Sequence, residues 1–282
     1  MHLYIKEQTT LLDALAELSP SSSKTALRSW IKEGRVTVDD IVVKNTSTII
    51  VPGQKIAIGA KPKFADGKLR ILYEDHHLVV IEKPAGLLSV AAAFQKEETV
   101  HALLKLHYQK HPVYVVHRLD QDTSGVMLFA LSRKGYEGLK VLFEKHEIKR
   151  SYCAIIEGKL PSSSGTWQSY LYEDGTYTVH SSLDPEKGAL AITHFEVRNT
   201  SRNFSRLDLF LETGRKNQIR VHCTDNGHPV VGDKKYGAST DPIQRLCLHA
   251  QSLVFIHPVT GKEMRFDSPV PKAFDRLVKK RD

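Results

Sequence analysis

Cysteine is scarce in this 282-residue chain. The three copies, Cys153, Cys223 and Cys247, are widely spaced, odd in number and free of any CxxC pair. That pattern argues against a disulfide framework and against a cysteine zinc site, and it suits reduced, packed thiols in a cytoplasmic protein. Long apolar runs are also missing. No stretch of about 18 apolar residues could span a membrane, and the opening MHLYIKEQTT has no signal-peptide core. There is no glycine-rich nucleotide loop and no internal repeat. The 14 histidines are scattered without metal-ligand spacing, so no metal site is expected.

What remains is an ordinary globular composition, 41% hydrophobic and 26% charged, with one bias. Forty Lys and Arg against 32 acids leave a net charge of +8, which favours a polyanionic partner without proving one. The length fits one large domain or two unequal ones.

Residues 1–60 read as the smaller unit. TTLLDALAELS has leucines at helical spacing behind a threonine pair able to cap it, and SPSSS leads into a second helix, KTALRSWIKEG, stopped by Gly34. VTVDDIVVKN reads as two strands about an Asp-Asp turn, and IIVPGQKIAIG as a further hairpin-like piece. On the second helix Lys24, Arg28 and Lys32 recur every four residues, with Arg35 just beyond, while Leu27, Trp30 and Ile31 take another face. An isolated charge stripe is usually a solvated surface. Here the same residues carry a resemblance: SSSKTALRSWIKEGRVTVDDIVVKNTSTIIVPGQKI is similar to the S4 RNA-binding module, with Asp39-Asp40 where that family often has Asn-Gly. The 1–60 segment holds seven basic and six acidic residues, only +1 in sum, so RNA affinity would come from the clustered face.

KPKFADGKL, residues 61–69, reads as a linker. Residues 70–282 alternate strand-like and helical segments, a mixed α+β domain dominated by antiparallel sheet. ILYEDHHLVVIEKP is a hairpin about EDHH. VHALLKLHYQK and KGYEGLKVLFEKHEI are helices. Two apolar runs, VYVVH and VMLFALS, flank HRLDQDTSG.

HRLDQDTSG taken alone is a polar hairpin corner. In extended chain Arg118 and Asp120 share one face, and His117 and Leu119 the other. Asp122 to Gly125 supply the turn. DTSG also resembles an aspartic-protease loop, but that chemistry needs a second such loop and the chain has none. In order along the chain, ILYEDHHLVVIEKPAGLL, HRLDQDTSGVMLFA, KRSYCAIIEG, LETGRKNQIRVH, HPVVGDKKYG and RLCLHAQSLVFIHPVTGKEMRF resemble the RluA-type RNA pseudouridine synthases. With the S4-like module in front, the layout is similar to the large-ribosomal-RNA branch of that family.

The resemblance implies isomerisation of uridine within RNA without a cofactor. It aligns Asp120 with the catalytic aspartate, Tyr152 with the tyrosine lying against the target base, and Arg220 with the arginine paired to the aspartate. A single carboxylate suffices for attack on the anomeric carbon or for removal of a sugar proton, and the sequence leaves both routes open. A glycoside hydrolase would need a second carboxylate, and no second motif acid is evident. Arg118 aligns with a residue that can enter the RNA stack once the base is flipped out. Arg215, near the Thr213-Gly214 turn, suits an RNA contact or a structural role. His117 faces away from Asp120. The pattern departs at Glu82, where the family usually has Asn, and at Asn217, where GRxHQIR usually has His. Asn217 is expected to cap the helix NQIRVHCTDN. SVAAAFQKEE is expected as a variable loop. The reading is a cytoplasmic monomer acting on RNA, ribosomal or transfer, with no membrane association. The rival from another class is an inactive RNA-binding protein on the same fold.

Overall fold

The computed structural model of the chain describes residues 2–39, 41–43, 45–59, 63–65, 67–91 and 98–279. Asp40 of the Asp-Asp turn and residues 92–97 of the SVAAAFQKEE loop lie outside them. The chain divides into two compact units, Met1–Phe64 and Ala65–Asp282. The segment expected as a linker, 61–69, contains the strand Lys63–Ala65, and Leu69 opens the strand Leu69–Glu74.

The first unit packs helices Leu11–Leu18 and Lys24–Lys32 over a small sheet. Thr10 caps the first helix by accepting from Asp13 N, and Ser23 caps the second by accepting from Ala26 N. Leu11, Leu15, Leu27, Ile31, Ile50 and Ile56 form its core. IIVPGQKIAIG is not a hairpin. Ile49–Ile50 pairs with Thr9–Thr10, whereas Lys55–Ile58 lies between His2–Tyr4 and Val36–Val38. Asp39 takes the left-handed backbone (φ 49°) of the turn where Asn-Gly is common, and Asp tolerates it. Its carboxylate accepts from Lys55 N at 2.9 Å and Gln54 Nε2 at 2.8 Å.

The second unit is built on one mixed, mainly antiparallel sheet. Its strands run in the spatial order Val179–Ser182, Ser164–Glu173, Ala189–Thr200, Phe204–Leu211, Lys149–Glu157, Leu248–Ile256, Ser124–Ala130, Leu78–Lys83, Leu69–Glu74. The central strands Leu78–Lys83 and Ser124–Ala130 read as unbroken apolar runs because both their faces are covered. Val79, Ile81, Met127 and Phe129 pack on one side with helices Val100–His107, Gln218–Asp225 and Lys272–Val278. Leu78, Val80, Val126 and Leu128 pack on the other with Leu139 of helix Arg133–Glu144.

Ser124–Ala130 and Leu248–Ile256 are parallel, with Gly125 opposite Ala250. At Gly125 (φ 117°) a Cβ would come within 2.0 Å of Ala250 O, so no other residue fits there. The glycine of HRLDQDTSG thus seats the loop against the sheet centre. All three cysteines are free and buried, and burial pushes the Cys153 and Cys247 thiols up to about 12. Among the described residues no helix is long and apolar enough to cross a membrane.

Candidate active site

HRLDQDTSG connects the short strand Tyr114–Val115 to Ser124–Ala130, which pair antiparallel, so it is a hairpin corner as expected. It is also braced from behind. Lys83, fully buried, donates its three ammonium protons to Gln121 O (2.6 Å), Leu87 O (2.6 Å) and Pro84 O (2.9 Å). Burial lowers its pKa to about 8, while Asp122 and Asp120 favour the cation, so it remains mostly charged near neutrality. Ser89 Oγ donates to Leu119 O at 2.6 Å and accepts from Leu119 N at 3.1 Å. His117 Nε2 accepts from Leu128 N at 2.9 Å, and its ring stacks on Phe143 at 5.0 Å. Desolvation lowers this imidazole to about 3, with Arg150 assisting, so His117 is a neutral structural post away from the reacting face.

On the other side of the loop lies an open cleft. Asp120, Tyr152, Arg220, Arg118 and Arg215 all line it, above apolar flooring from Leu211, Ile219 and Leu248. The five second-unit residues singled out in the sequence therefore converge from three separate segments. Arg118 and Arg215 are exposed at the rim. Arg215 is partly committed, since its Nε donates to Leu190 O at 3.0 Å. Tyr152 is 8% exposed; burial raises its phenol, Arg150 opposes and Asp120 adds to the rise. A phenol kept protonated offers a packing surface and a donor, not a resting phenolate base.

Arg220 comes from helix Gln218–Asp225 and is anchored first to an acid the motif reading did not weigh. It forms a two-point pair with Asp233 (Nε to Oδ2 2.6 Å, Nη2 to Oδ1 2.7 Å) and reaches Asp120 Oδ2 through Nη1 at 3.4 Å. Its guanidinium lies 4.8 Å from the Tyr236 ring centroid. Burial works against this charge, but Asp233 and then Asp120 outweigh it, and the group is held firmly protonated. The expectation of no second motif acid is corrected here. Asp233, from HPVVGDKKYG, is present, but its side chain is 1% exposed and occupied by Arg220. It serves as an anchor and leaves one carboxylate facing the cleft.

Asn217 also departs from expectation. It stands at the N-terminal boundary of Gln218–Asp225 with left-handed backbone (φ 54°, ψ 16°), and its side chain makes no cap hydrogen bond. Instead Nδ2 donates to Asp120 Oδ2 at 2.7 Å, shorter than the Arg220 contact. Its neighbour Gln218 organises the turn, accepting from Thr213 Oγ1 and Arg215 N and donating to Ile192 O and Thr193 Oγ1. Glu82, the other departure, is paired with Arg70 at 3.2 Å and accepts from the Ser268 hydroxyl, which is a structural role.

In the first unit Lys24, Arg28 and Lys32 are exposed along one helix face. Arg35 is engaged: it lies 4.6 Å over the Trp30 ring and donates to Gly59 O at 3.2 Å. Among the described residues no group of three or more His, Cys, Asp or Glu is placed to hold a metal ion.

Comparison with known proteins agrees with this architecture. Residues 77–225 match the family model for RNA pseudouridylate synthase, and residues 10–56 match the S4 domain. The chain is 34% identical to the ribosomal large subunit pseudouridine synthase D of Pseudomonas aeruginosa, over 92% of this chain and 88% of that one. It is 34% identical to an uncharacterized RNA pseudouridine synthase, YhcT, of Bacillus subtilis, over 97% and 94%. Among solved structures, human RNA pseudouridylate synthase domain containing 1 aligns with a TM-score of 0.61 and 25% identity, over 74% of this chain and 85% of that one. A chain matched through both modules and over nearly its whole length is an enzyme of the RNA pseudouridine synthase family, with an S4 domain ahead of its catalytic domain.

Proposed function

We propose that this enzyme converts specific uridines of large-subunit ribosomal RNA to pseudouridine, with Asp120 as the reacting carboxylate and no cofactor. The observation that carries the reading is the single cleft-facing carboxylate, tethered by Asn217 and Arg220 beside Tyr152 over an apolar floor. Isomerisation breaks the bond between C1′ and N1 of the uridine, turns the uracil, joins C1′ to C5, and moves a proton from C5 to N1. No atom is gained or lost, so no co-reactant is needed. Asp120 opens the sequence by attacking C1′ or by removing a sugar proton; both need one carboxylate.

A uridine stacked in RNA cannot reach such a cleft and must be turned out of the stack. Arg118, exposed at the rim with no hydrogen-bond partner among the described residues, is suited to fill the vacancy with its planar guanidinium. The apolar floor and the Tyr152 ring receive the uracil faces, and the neutral phenol lies beside the base when C5 loses its proton. Lys24, Arg28 and Lys32 of the S4 domain supply phosphate contacts.

The relatives named for the large ribosomal subunit support the choice of RNA. Mapping pseudouridines in RNA from cells with and without the gene tests it. Sites lost from large-subunit ribosomal RNA alone are the expected result, and losses confined to transfer RNA would overturn the assignment of target. Turnover is expected to persist in excess chelator on a substrate that stays folded.

A further inference from the structure

We propose that Asn217, oriented by Tyr236, is the positioning residue for Asp120 and holds its Oδ2 so that Oδ1 is the reacting oxygen. This rests on Asp120 being the reacting carboxylate. Both described hydrogen bonds to the Asp120 carboxylate end on the same atom: Asn217 Nδ2 at 2.7 Å and Arg220 Nη1 at 3.4 Å reach Oδ2. Oδ1 has no partner among the described residues. A carboxylate gripped through one oxygen presents the other, unsolvated by protein, to the cleft.

Asn217 can do this only if its amide points one way, because the reversed amide would set a carbonyl oxygen against a carboxylate. Tyr236 fixes the direction. Its hydroxyl accepts from Val179 N at 3.2 Å, which leaves its own proton to donate to Asn217 Oδ1 at 3.3 Å. With Oδ1 of the amide taken, Nδ2 must face Asp120. The Tyr236 ring is itself clamped under the Arg220 guanidinium, and Asp233 accepts from Tyr236 N at 3.3 Å. The two arms that reach Asp120 Oδ2 therefore share one support, the turn Asp233–Tyr236.

The backbone explains which side chains this place admits. At φ 54° a β-branched residue is strained, whereas Gly, Asn, Asp and His are tolerated. Asn supplies a donor that does not titrate. A His at this place, the residue usual in the family pattern, would instead offer an imidazole that gains a proton near neutrality. The Asn217 donor thus carries no titration of its own in this chain.

The test uses single-turnover rates and RNA affinity of the full-length protein. Asn217→Gly keeps the left-handed backbone and deletes the donor. One hydrogen bond to a charged group corresponds to a rate loss of about 10- to 100-fold, with affinity unchanged. Tyr236→Phe should lose less, and the double variant should lose no more than Asn217→Gly, because the hydroxyl acts through the amide. Asn217→His should recover much of the rate and introduce an ionisation near neutral pH that the wild type lacks. Wild-type turnover by Asn217→Gly, or a His variant whose pH profile matches wild type, would overturn the positioning role. Failure of the underlying reading looks different: turnover by Asp120→Asn would remove Asp120 itself.

Discussion

Asp120, Tyr152 and Arg220 carry the residue-scale account, and the least visible member of the site is Asp233. Arg220 depends on it more than on Asp120, with two bonds of 2.6 and 2.7 Å against one of 3.4 Å. Removing Asp233 leaves a guanidinium, 11% exposed, with the single 3.4 Å contact to Asp120 in place of its two-point pair. Asp233→Ala should therefore lower the unfolding free energy by roughly 3–5 kcal/mol. It should also depress turnover, because Arg220 and Tyr236 lose their common anchor. Chemical unfolding of the purified variant checks this, and a change within experimental scatter would show the pair to be dispensable. The places of Asp120, Arg118 and Tyr152 around the cleft were legible because each sits in a motif with a specific resemblance. Those of Asn217, Asp233 and Tyr236 were not. They act through contacts that the fold alone creates, such as Asn217 to Asp120 across 97 positions. The sequence showed only that Asn217 was unusual, and local logic suggested a cap.

At the scale of elements, the HRLDQDTSG loop is a short connection whose shape is imposed by the sheet end behind it. Lys83 links the end of Leu78–Lys83 to Gln121, and Gly86 N donates back to Gln121 O at 3.0 Å. Lys83→Met should take the ammonium donor from the Pro84 and Leu87 carbonyls, leave Gln121 O with Gly86 N, and loosen this brace. Amide exchange at Gly86, Leu119 and Thr123 is expected to quicken by at least about tenfold, while Met127 and Phe129 in the strand stay protected. Equal protection of the loop in both proteins would contradict the brace. Helices and strands were legible here because their periods and caps are local: Thr10 and Ser23 cap as their positions suggest. Pairing was less so. Ile49–Ile50 and Lys55–Ile58 look like a hairpin around Pro52-Gly53, yet each finds a partner elsewhere. A period of two identifies a strand but carries no information about its neighbour.

For the whole molecule, charge and pH behaviour follow from where ionisable groups sit. Replacing Lys24, Arg28 and Lys32 with alanine should lower the slope of log affinity against log salt by roughly 0.7–0.9 per lost phosphate contact. The single-turnover rate at saturating RNA should be unchanged. An unaltered slope would remove the S4 face from the RNA interface. Arg35 should contribute less, being held by Trp30 and Gly59.

Three histidines of the second unit are kept neutral by desolvation, His117 lowered to about 3 and His222 and His249 to about 4. In the unfolded chain they take up protons below about pH 6.5, so the unfolded state then binds more protons and stability falls as the pH is lowered. Their effect is absent above neutrality and grows to about 1.4 kcal/mol per pH unit for each group between about pH 6.5 and 4. Trp167 fluorescence in a Trp30→Phe background reports this unit, and a denaturation midpoint that stays level between pH 7 and pH 5 would contradict it.

The central claim is that Asp120 performs the isomerisation. Its most direct measurement is release of tritium from RNA labelled at uridine C5, comparing wild type with Asp120→Asn. The amide oxygen can still accept from Asn217 and Arg220, so the variant should fold and bind RNA as wild type does. Wild type should release tritium without any added cofactor, and Asp120→Asn should release none. Measurable release by a clean preparation of Asp120→Asn would contradict the account.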